Sequence, residues 1–168
     1  MRKVYFLLMC CFLGSHVCAQ EVDEQPVVAS VLAWHAAAAA ADYDAYFALM
    51  TADAVFIGTD ATERWTKPEF QAYAKPHFEK GKAWTFKPIV QHVNLEKGQT
   101  VAWLDELLQT DMEICRGTAI LKLVDGQWKI AHYTLSMTVP NDLAKEVIHL
   151  KSEEEKALML KLNTLVQP

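Results

Sequence analysis

Cysteine is scarce in this sequence, with 4 residues among 168, and three of them fall within the first eighteen positions. Cys115 is the single thiol in the rest of the chain, so that part cannot form a disulfide framework and needs an ordinary hydrophobic core. The histidines at 35, 77, 92, 132 and 149 show no paired ligand spacing, so the sequence predicts no metal site.

Positive charge is also in short supply, since 16 basic residues face 21 acidic ones and the formal net charge is −5. A chain of this balance has no cationic surface for a phosphate backbone, which argues against nucleic acid as a partner. A glycine-rich phosphate loop and a nucleophile elbow are both lacking. We therefore expect no cofactor.

Long apolar runs are missing as well, and the uncharged stretch Val4–Gly14 falls short of the roughly 20 residues that span a bilayer. Arg2 and Lys3 precede it and Val17-Cys18-Ala19 follows, which is the layout of a secretory signal peptide. We expect cleavage after Ala19 and export to the periplasm or the medium. Stable membrane insertion is not expected.

Beyond residue 19, a linker over 20–25 is expected to lead into one domain over 26–142 and then a C-terminal helix and tail over 143–168. The apolar spacing predicts helices before strands: Pro26 to Ala41, a short helix after Asp42, a strand over 54–58, and a helix from Thr66 to Gly81. From Trp84 the period becomes two residues, and strands are predicted over 84–95, 100–109, 115–124 and 128–139. The pattern indicates an α+β fold.

Asp125-Gly126 is the sharpest local signal, because a two-residue type I′ turn requires positive φ at both positions. Counting outward from such a turn places Cys115, Ala119, Trp128, Ile130, His132 and Thr134 on one face of the hairpin. In the preceding strand, alternation does not show which of the two faces points inward. If Trp103 joins this apolar layer, Asp105 shares it with His132 and the two form a candidate acid/base pair.

Several stretches together resemble the SnoaL-like branch of the nuclear transport factor 2-like superfamily, over roughly Pro26 to Asp142. They are Trp34-His35, Asp42-Tyr43-Asp44, Phe56-Ile57-Gly58-Thr59-Asp60, Glu63 with Trp65, Ala102-Trp103-Leu104-Asp105-Glu106, Arg116-Gly117-Thr118 and, most specifically, Asp125-Gly126-Gln127-Trp128-Lys129-Ile130-Ala131-His132-Tyr133. The resemblance implies a cone-shaped α+β fold, in which N-terminal helices pack on a curved antiparallel sheet around a cavity. It also implies that Asp105 and His132 face that cavity.

Three functions are compatible with this resemblance, because the fold serves isomerases, cyclases, dehydratases and assembly domains. The first is cofactor-independent acid/base chemistry on a small hydrophobic carbonyl compound, with Asp105 as base and His132 as its partner. The pocket is expected to include Trp34, Tyr46, Phe56, Trp65, Trp103, Cys115, Ala119, Trp128, Ile130 and Thr134. The second is a non-catalytic binding or oligomerisation module, and the third is a subunit of another envelope protein. A homodimer through the outer sheet face is expected.

Overall fold

A computed structural model describes residues 23–164 of the chain. The predicted signal peptide and its cleavage site lie outside the described residues, as do the start of the predicted linker and the last four residues. Within the described part, no helix has the length and apolar character needed to cross a membrane.

Three helices precede most of the sheet: α1 (Gln25–Ala39), α2 (Tyr43–Ala48) and α3 (Lys67–Glu79). Local chemistry explains where each begins. Pro26 occupies the first turn of α1, where its missing N–H costs nothing. The Asp42 carboxylate caps α2 by accepting from the Ala45 N–H, and Thr66 with Glu69 forms a capping box on α3.

The sheet contains six strands: β1 (Met50–Ile57), β2 (Arg64–Thr66), β3 (Lys87–Leu95), β4 (Val101–Thr110), β5 (Glu113–Val124) and β6 (Gln127–Met137). Their order is β2-β1-β6-β5-β4-β3, and every pair is antiparallel except β1 with β6. Asp125 and Gly126 join β5 to β6 with φ of 50° and 76°, which confirms the predicted turn.

The helices cover one face of this sheet, and the core lies between the two layers. Trp34 and Val31 of α1 and Tyr46 of α2 are fully buried against Ile130 and Tyr133 of β6. The Ser30 hydroxyl donates to the Trp128 carbonyl over 2.7 Å, which fixes α1 on the sheet. The predicted α+β architecture is confirmed.

Several strands differ from the sequence prediction at their ends, and β1 begins at Met50 rather than at residue 54. Strand β3 begins at Lys87, so residues 84–86 form a loop, and the short strand β2 was not predicted. Trp84 and Phe86 leave the strand pattern because their rings pack under the helices rather than alternating across a sheet.

The C-terminal helix α4 (Ala144–Asn163) follows a 3-10 turn over Asn141–Leu143. No residue of α4 is buried in the described chain. Its ion pairs, such as Lys151 with Glu155, lie along its own surface.

Candidate functional site

An aromatic cavity of about 200 Å³ opens between α3, the loop over 84–86 and the ends of β1 and β6. Six aromatic side chains form most of its wall: Phe56, Trp65, Phe70, Tyr73, Trp84 and Phe86. Thr59 and Glu63 supply polar groups, and Met112 and Leu135 complete the lining. Such a lining, apolar with a few polar groups, is typical of a small-molecule site.

The rings of this wall are close to parallel. Phe56 stacks on Phe70 with centroids 4.1 Å apart and planes 12° apart, and Trp65 stacks on Tyr73 at 4.5 Å and 23°. Pairing of β1 with β2 places Phe56 opposite Trp65, so the sheet itself sets this arrangement. Flat ring faces favour a planar apolar ligand.

A buried polar network surrounds the carboxylate of Glu106 in β4. His35 of α1 shares a 2.8 Å hydrogen bond between Nε2 and Oε1. The Tyr133 hydroxyl donates to the same oxygen over 2.7 Å, and the Gln91 amide donates to Oε2 over 2.8 Å. Glu106 is 1% exposed, so four elements combine to hold one carboxylate inside the core.

The charge state of Glu106 follows from these contacts. Burial by itself raises the pKa of a carboxyl group, but the hydrogen bond of His35 and the charge His35 carries when protonated, then the bonds of Tyr133 and Gln91, lower the pKa of Glu106 below its usual range. Burial, and then the charge and hydrogen bond of Glu106, raise the pKa of Tyr133 well above 10.0. Glu106 is therefore an ionised acceptor and Tyr133 a neutral donor.

Gly117 of β5 is required by this network. It pairs with Glu106 on one side and with Leu135 on the other. A Cβ atom at this position would collide with the Tyr133 hydroxyl and come within 2.9 Å of Glu106 Oε1. A glycine inside a strand often marks such a close approach, and this was the available signal for the site.

Four buried polar atoms near this network find no hydrogen-bond partner within residues 23–164: Trp34 Nε1, His35 Nδ1, Tyr46 Oη and Trp84 Nε1. Their rings form one contiguous group, since Tyr46 lies 4.8 Å from Trp34 and 5.5 Å from Trp84 between centroids. Burial raises the pKa of Tyr46 well above 10.0, against a smaller lowering by its interaction with the Trp84 indole, so its hydroxyl stays protonated. Each unpaired group costs about 1–3 kcal/mol, which calls for a functional reason.

The expected position of Asp105 in the interior is wrong. Asp105 and Trp103 lie on the outer face of β4, where Trp103 is 47% exposed and Asp105 pairs with His92. The inward positions are the alternate ones, Leu104, Glu106 and Leu108. With these residues facing inward, β4 buries Leu104 and Leu108 and brings the Glu106 carboxylate to a partner on α1.

The expected inward position of His132 is also wrong, because β6 contains a β-bulge. Ile130 pairs with Leu121 but His132 pairs with Ile120, so Ala131 is the extra residue. Beyond it Tyr133 and Leu135 face inward, while His132 and Thr134 bond to each other over 3.0 Å, half-buried on the outer side. Burial and then the charge of Arg64 lower the pKa of His132.

The other residues predicted for the pocket are inside the protein but divide into two groups. Phe56 and Trp65 line the cavity, Tyr46 lies buried beside its wall residue Trp84, and Trp34 lies buried beside its wall residue Phe56. Cys115, Ala119, Trp128 and Ile130 pack in the hydrophobic core away from the cavity lining. The sequence pattern did not link His35 to Glu106.

Within the described part of the chain, no group of three histidine, cysteine, aspartate or glutamate side chains is arranged to hold a metal ion. What the site offers is an aromatic cavity, an ionised carboxylate paired with an imidazole, and several neutral donors.

Comparison with known proteins agrees with this architecture. The family model described as SnoaL-like domain matches residues 27–140. No curated protein matches the sequence.

Solved structures share the fold at low identity. A nuclear transport factor 2-like protein of unknown function from Pseudomonas putida KT2440 is 16% identical with a TM-score of 0.60, covering 70% of this chain and 88% of its own. A Streptomyces avermitilis protein of the same fold, provisionally named a dehydratase, is 13% identical with a TM-score of 0.59, covering 69% and 96%. A cystatin-like protein of unknown function from Nostoc punctiforme is 10% identical with a TM-score of 0.58, covering 69% and 91%. At these identities the likeness concerns the fold alone.

Proposed function

We propose, because the chain belongs to the SnoaL-like family of domains, that it binds a small, planar, largely apolar carbonyl compound in its aromatic cavity and moves a proton on it without a cofactor. The observation that carries this proposal is the buried pair of His35 and Glu106. The ring nitrogen of His35 that does not bond to Glu106, Nδ1, has no hydrogen-bond partner in the described chain. These two residues replace Asp105 and His132 in the role that the sequence suggested.

The geometry of the pair favours His35 as the base. Glu106 Oε1 accepts from Nε2, and a carboxylate at one ring nitrogen fixes the tautomer that leaves the other nitrogen with a lone pair. Nδ1 is that nitrogen, and the His35 ring packs edge-on against the cavity residue Phe86 at 5.7 Å. Glu106 is then a positioning residue that stabilises the imidazolium when the proton arrives.

The reactions open to such a pair begin with removal of a proton beside a carbonyl group. Isomerisation, cyclisation and dehydration all share this step. The oxygen that becomes negative needs a neutral donor, and the hydroxyl of Tyr46 and the indole N–H of Trp84 are buried and unpaired within residues 23–164. Trp84 is part of the cavity wall, and the Tyr46 ring lies 5.5 Å from it between centroids.

The test uses 2-tetralone, a flat aromatic ketone with exchangeable protons beside its carbonyl. We expect wild type to speed deuterium exchange at those carbons, followed by NMR in heavy water. His35→Gln should remove the acceleration, whereas Asp105→Asn, on the outer face, should retain it. Exchange that persists in His35→Gln would contradict the assignment of the base.

Binding is measured separately with the same compound, through quenching of tryptophan fluorescence. Trp84→Leu should weaken binding at least about tenfold, because a buried wall of the cavity is lost. Trp103→Leu is the matched control, since its ring lies on the outer sheet face. Equal weakening by both variants would show that the cavity is not the binding site.

A second candidate function is binding without turnover. It is favoured by the fact that both oxygens of Glu106 already accept hydrogen bonds from His35, Tyr133 and Gln91. This candidate predicts that 2-tetralone quenches wild-type fluorescence through Trp84 while deuterium exchange stays at the rate of the buffer.

Two proposals concern the whole protein. We propose export after cleavage behind Ala19, which N-terminal sequencing of protein from the cell envelope tests directly. We also propose a homodimer through the outer sheet face, supported by the exposure of Val90, Trp103 and Ile120 on it. Light scattering of wild type and Trp103→Glu tests the dimer, and a monomeric wild type would exclude it.

A further inference from the structure

A second pocket of about 490 Å³ shares no lining residue with the aromatic cavity. It lies where the start of β1, the start of α3 and the β5–β6 hairpin meet. Three lysines line it: Lys67 of α3, and Lys122 of β5 and Lys129 of β6 from the hairpin. We call it the lysine pocket.

The charges in the lysine pocket are not balanced. Lys122 forms a 3.0 Å ion pair with Asp53, whose carboxylate also accepts from the Thr51 hydroxyl over 2.7 Å. Asp53 is the one acidic residue of the lining. Among the ion pairs of residues 23–164, none involves Lys67 or Lys129.

Bringing these three lysines together lowers the stability of the fold. Lys122 and Lys129 are direct cross-strand partners in β5 and β6, and like charges in that position destabilise a sheet. Burial, and then the charge of Lys129, lower the pKa of Lys67. The Lys67 ammonium also donates to the Met50 carbonyl over 3.0 Å, which holds it in the pocket and leaves its other protons available. In a chain with a net charge of −5, three lysines gathered on one pocket indicate an anionic ligand.

We propose that the lysine pocket binds the phosphate group of a small phosphate monoester. Two ammonium groups without a carboxylate partner match the charge of roughly −1.5 to −2 that a phosphate monoester carries at neutral pH. The pocket volume exceeds what a phosphate needs, and the side chains of Met50 and Val124 supply apolar surface for the attached organic group. This site is independent of the function proposed for the aromatic cavity.

Calorimetric titration of the intact protein with phenyl phosphate tests the proposal. We expect saturable binding that weakens with added salt, and a loss of at least about tenfold in affinity in Lys129→Gln and in Lys67→Gln. Lys97→Gln makes the same charge change on an exposed turn and should leave the affinity within about twofold. Absence of saturable binding, or an equal loss in Lys97→Gln, overturns the proposal.

Thermal unfolding separates a lost ligand site from a damaged fold. Without anion, Lys129→Gln should unfold at a higher temperature than wild type, because the Lys122–Lys129 repulsion is relieved. With phenyl phosphate, wild type should gain stability and Lys129→Gln should not. Benzoate carries one charge, so its binding as tightly as phenyl phosphate would overturn the assignment of a dianion.

Discussion

Replacing Gly117 by alanine tests whether the network around Glu106 has the geometry described. In an ordinary strand this change stabilises a protein by about 0.5–1 kcal/mol, because glycine loses more backbone entropy on folding. Gly117 is not among the glycines with positive φ, so its backbone accepts alanine. The outcome therefore depends on the new methyl group, which would meet the Tyr133 hydroxyl and lie 2.9 Å from Glu106 Oε1.

The magnitude follows from the contacts that must give way. Moving Tyr133 aside breaks its 2.7 Å bond to Glu106, a bond to a charged group that contributes about 1.5–3 kcal/mol. Overpacking of a filled interior adds about 1–3 kcal/mol. After subtraction of the entropic gain, Gly117→Ala should lower the free energy of unfolding by roughly 2–5 kcal/mol.

Urea denaturation of four proteins measures this: wild type, Gly117→Ala, Tyr133→Phe and the double variant. Tyr133→Phe removes the hydroxyl that the methyl group would strike, although the ring carbon Cζ remains 2.8 Å away. The double variant should therefore lose about 1–2 kcal/mol less than the two single losses added together. Gly98→Ala is the control, because its methyl group would meet only the side chain of Glu96, whose bonds to Thr100 are exposed and give way at little cost. Additive losses, or a Gly117→Ala variant as stable as wild type, would refute the reasoning.

Three further predictions concern charge and backbone conformation. The pKa of Glu106 is below its usual range, so its ionised form adds stability above the unfolded glutamate pKa of about 4.3, and this is lost as the pH falls through the folded pKa. The difference in unfolding free energy between wild type and Glu106→Gln should thus be largest near neutral pH and shrink in acid, and a difference independent of pH would contradict it. Asp105→Asn, at an exposed position, should change the unfolding free energy by less than about 0.5 kcal/mol in the same denaturation assay, and a loss as large as that of Glu106→Gln would contradict the outward placement. Gly126→Ala should cost about 1 kcal/mol in thermal unfolding because φ is 76° there, and an unchanged melting temperature would argue against the type I′ turn.

Much of the fold was predictable from local patterns. The capping box at Thr66 and Glu69 marks the start of α3, and Asp125-Gly126 marks the β5–β6 turn, because each depends on residues adjacent in the chain. Phe56 and Trp65, which the sequence predicts in the pocket, line the aromatic cavity. Strand β2 was missed, since three residues are too few for a period to show.

The pairing of His35 with Glu106 was not predictable in the same way. Alternation in β4 allows either Asp105 or Glu106 to face inward, and each choice gives an amphipathic strand. Counting residues from the β5–β6 turn places His132 in the interior only if β6 is a regular strand. The extra residue at Ala131 shifts the alternation, so Tyr133 faces inward instead of His132.

The sequence by itself therefore determined most of the elements, the tight turn and the family, because these depend on neighbouring residues and on periodicity. The tertiary structure decided which carboxylate and which histidine meet. Glu106 can enter the core because His35, far away in the chain, and Gln91 and Tyr133 from other strands supply hydrogen bonds that compensate its burial. That compensation exists only once α1 lies on the sheet.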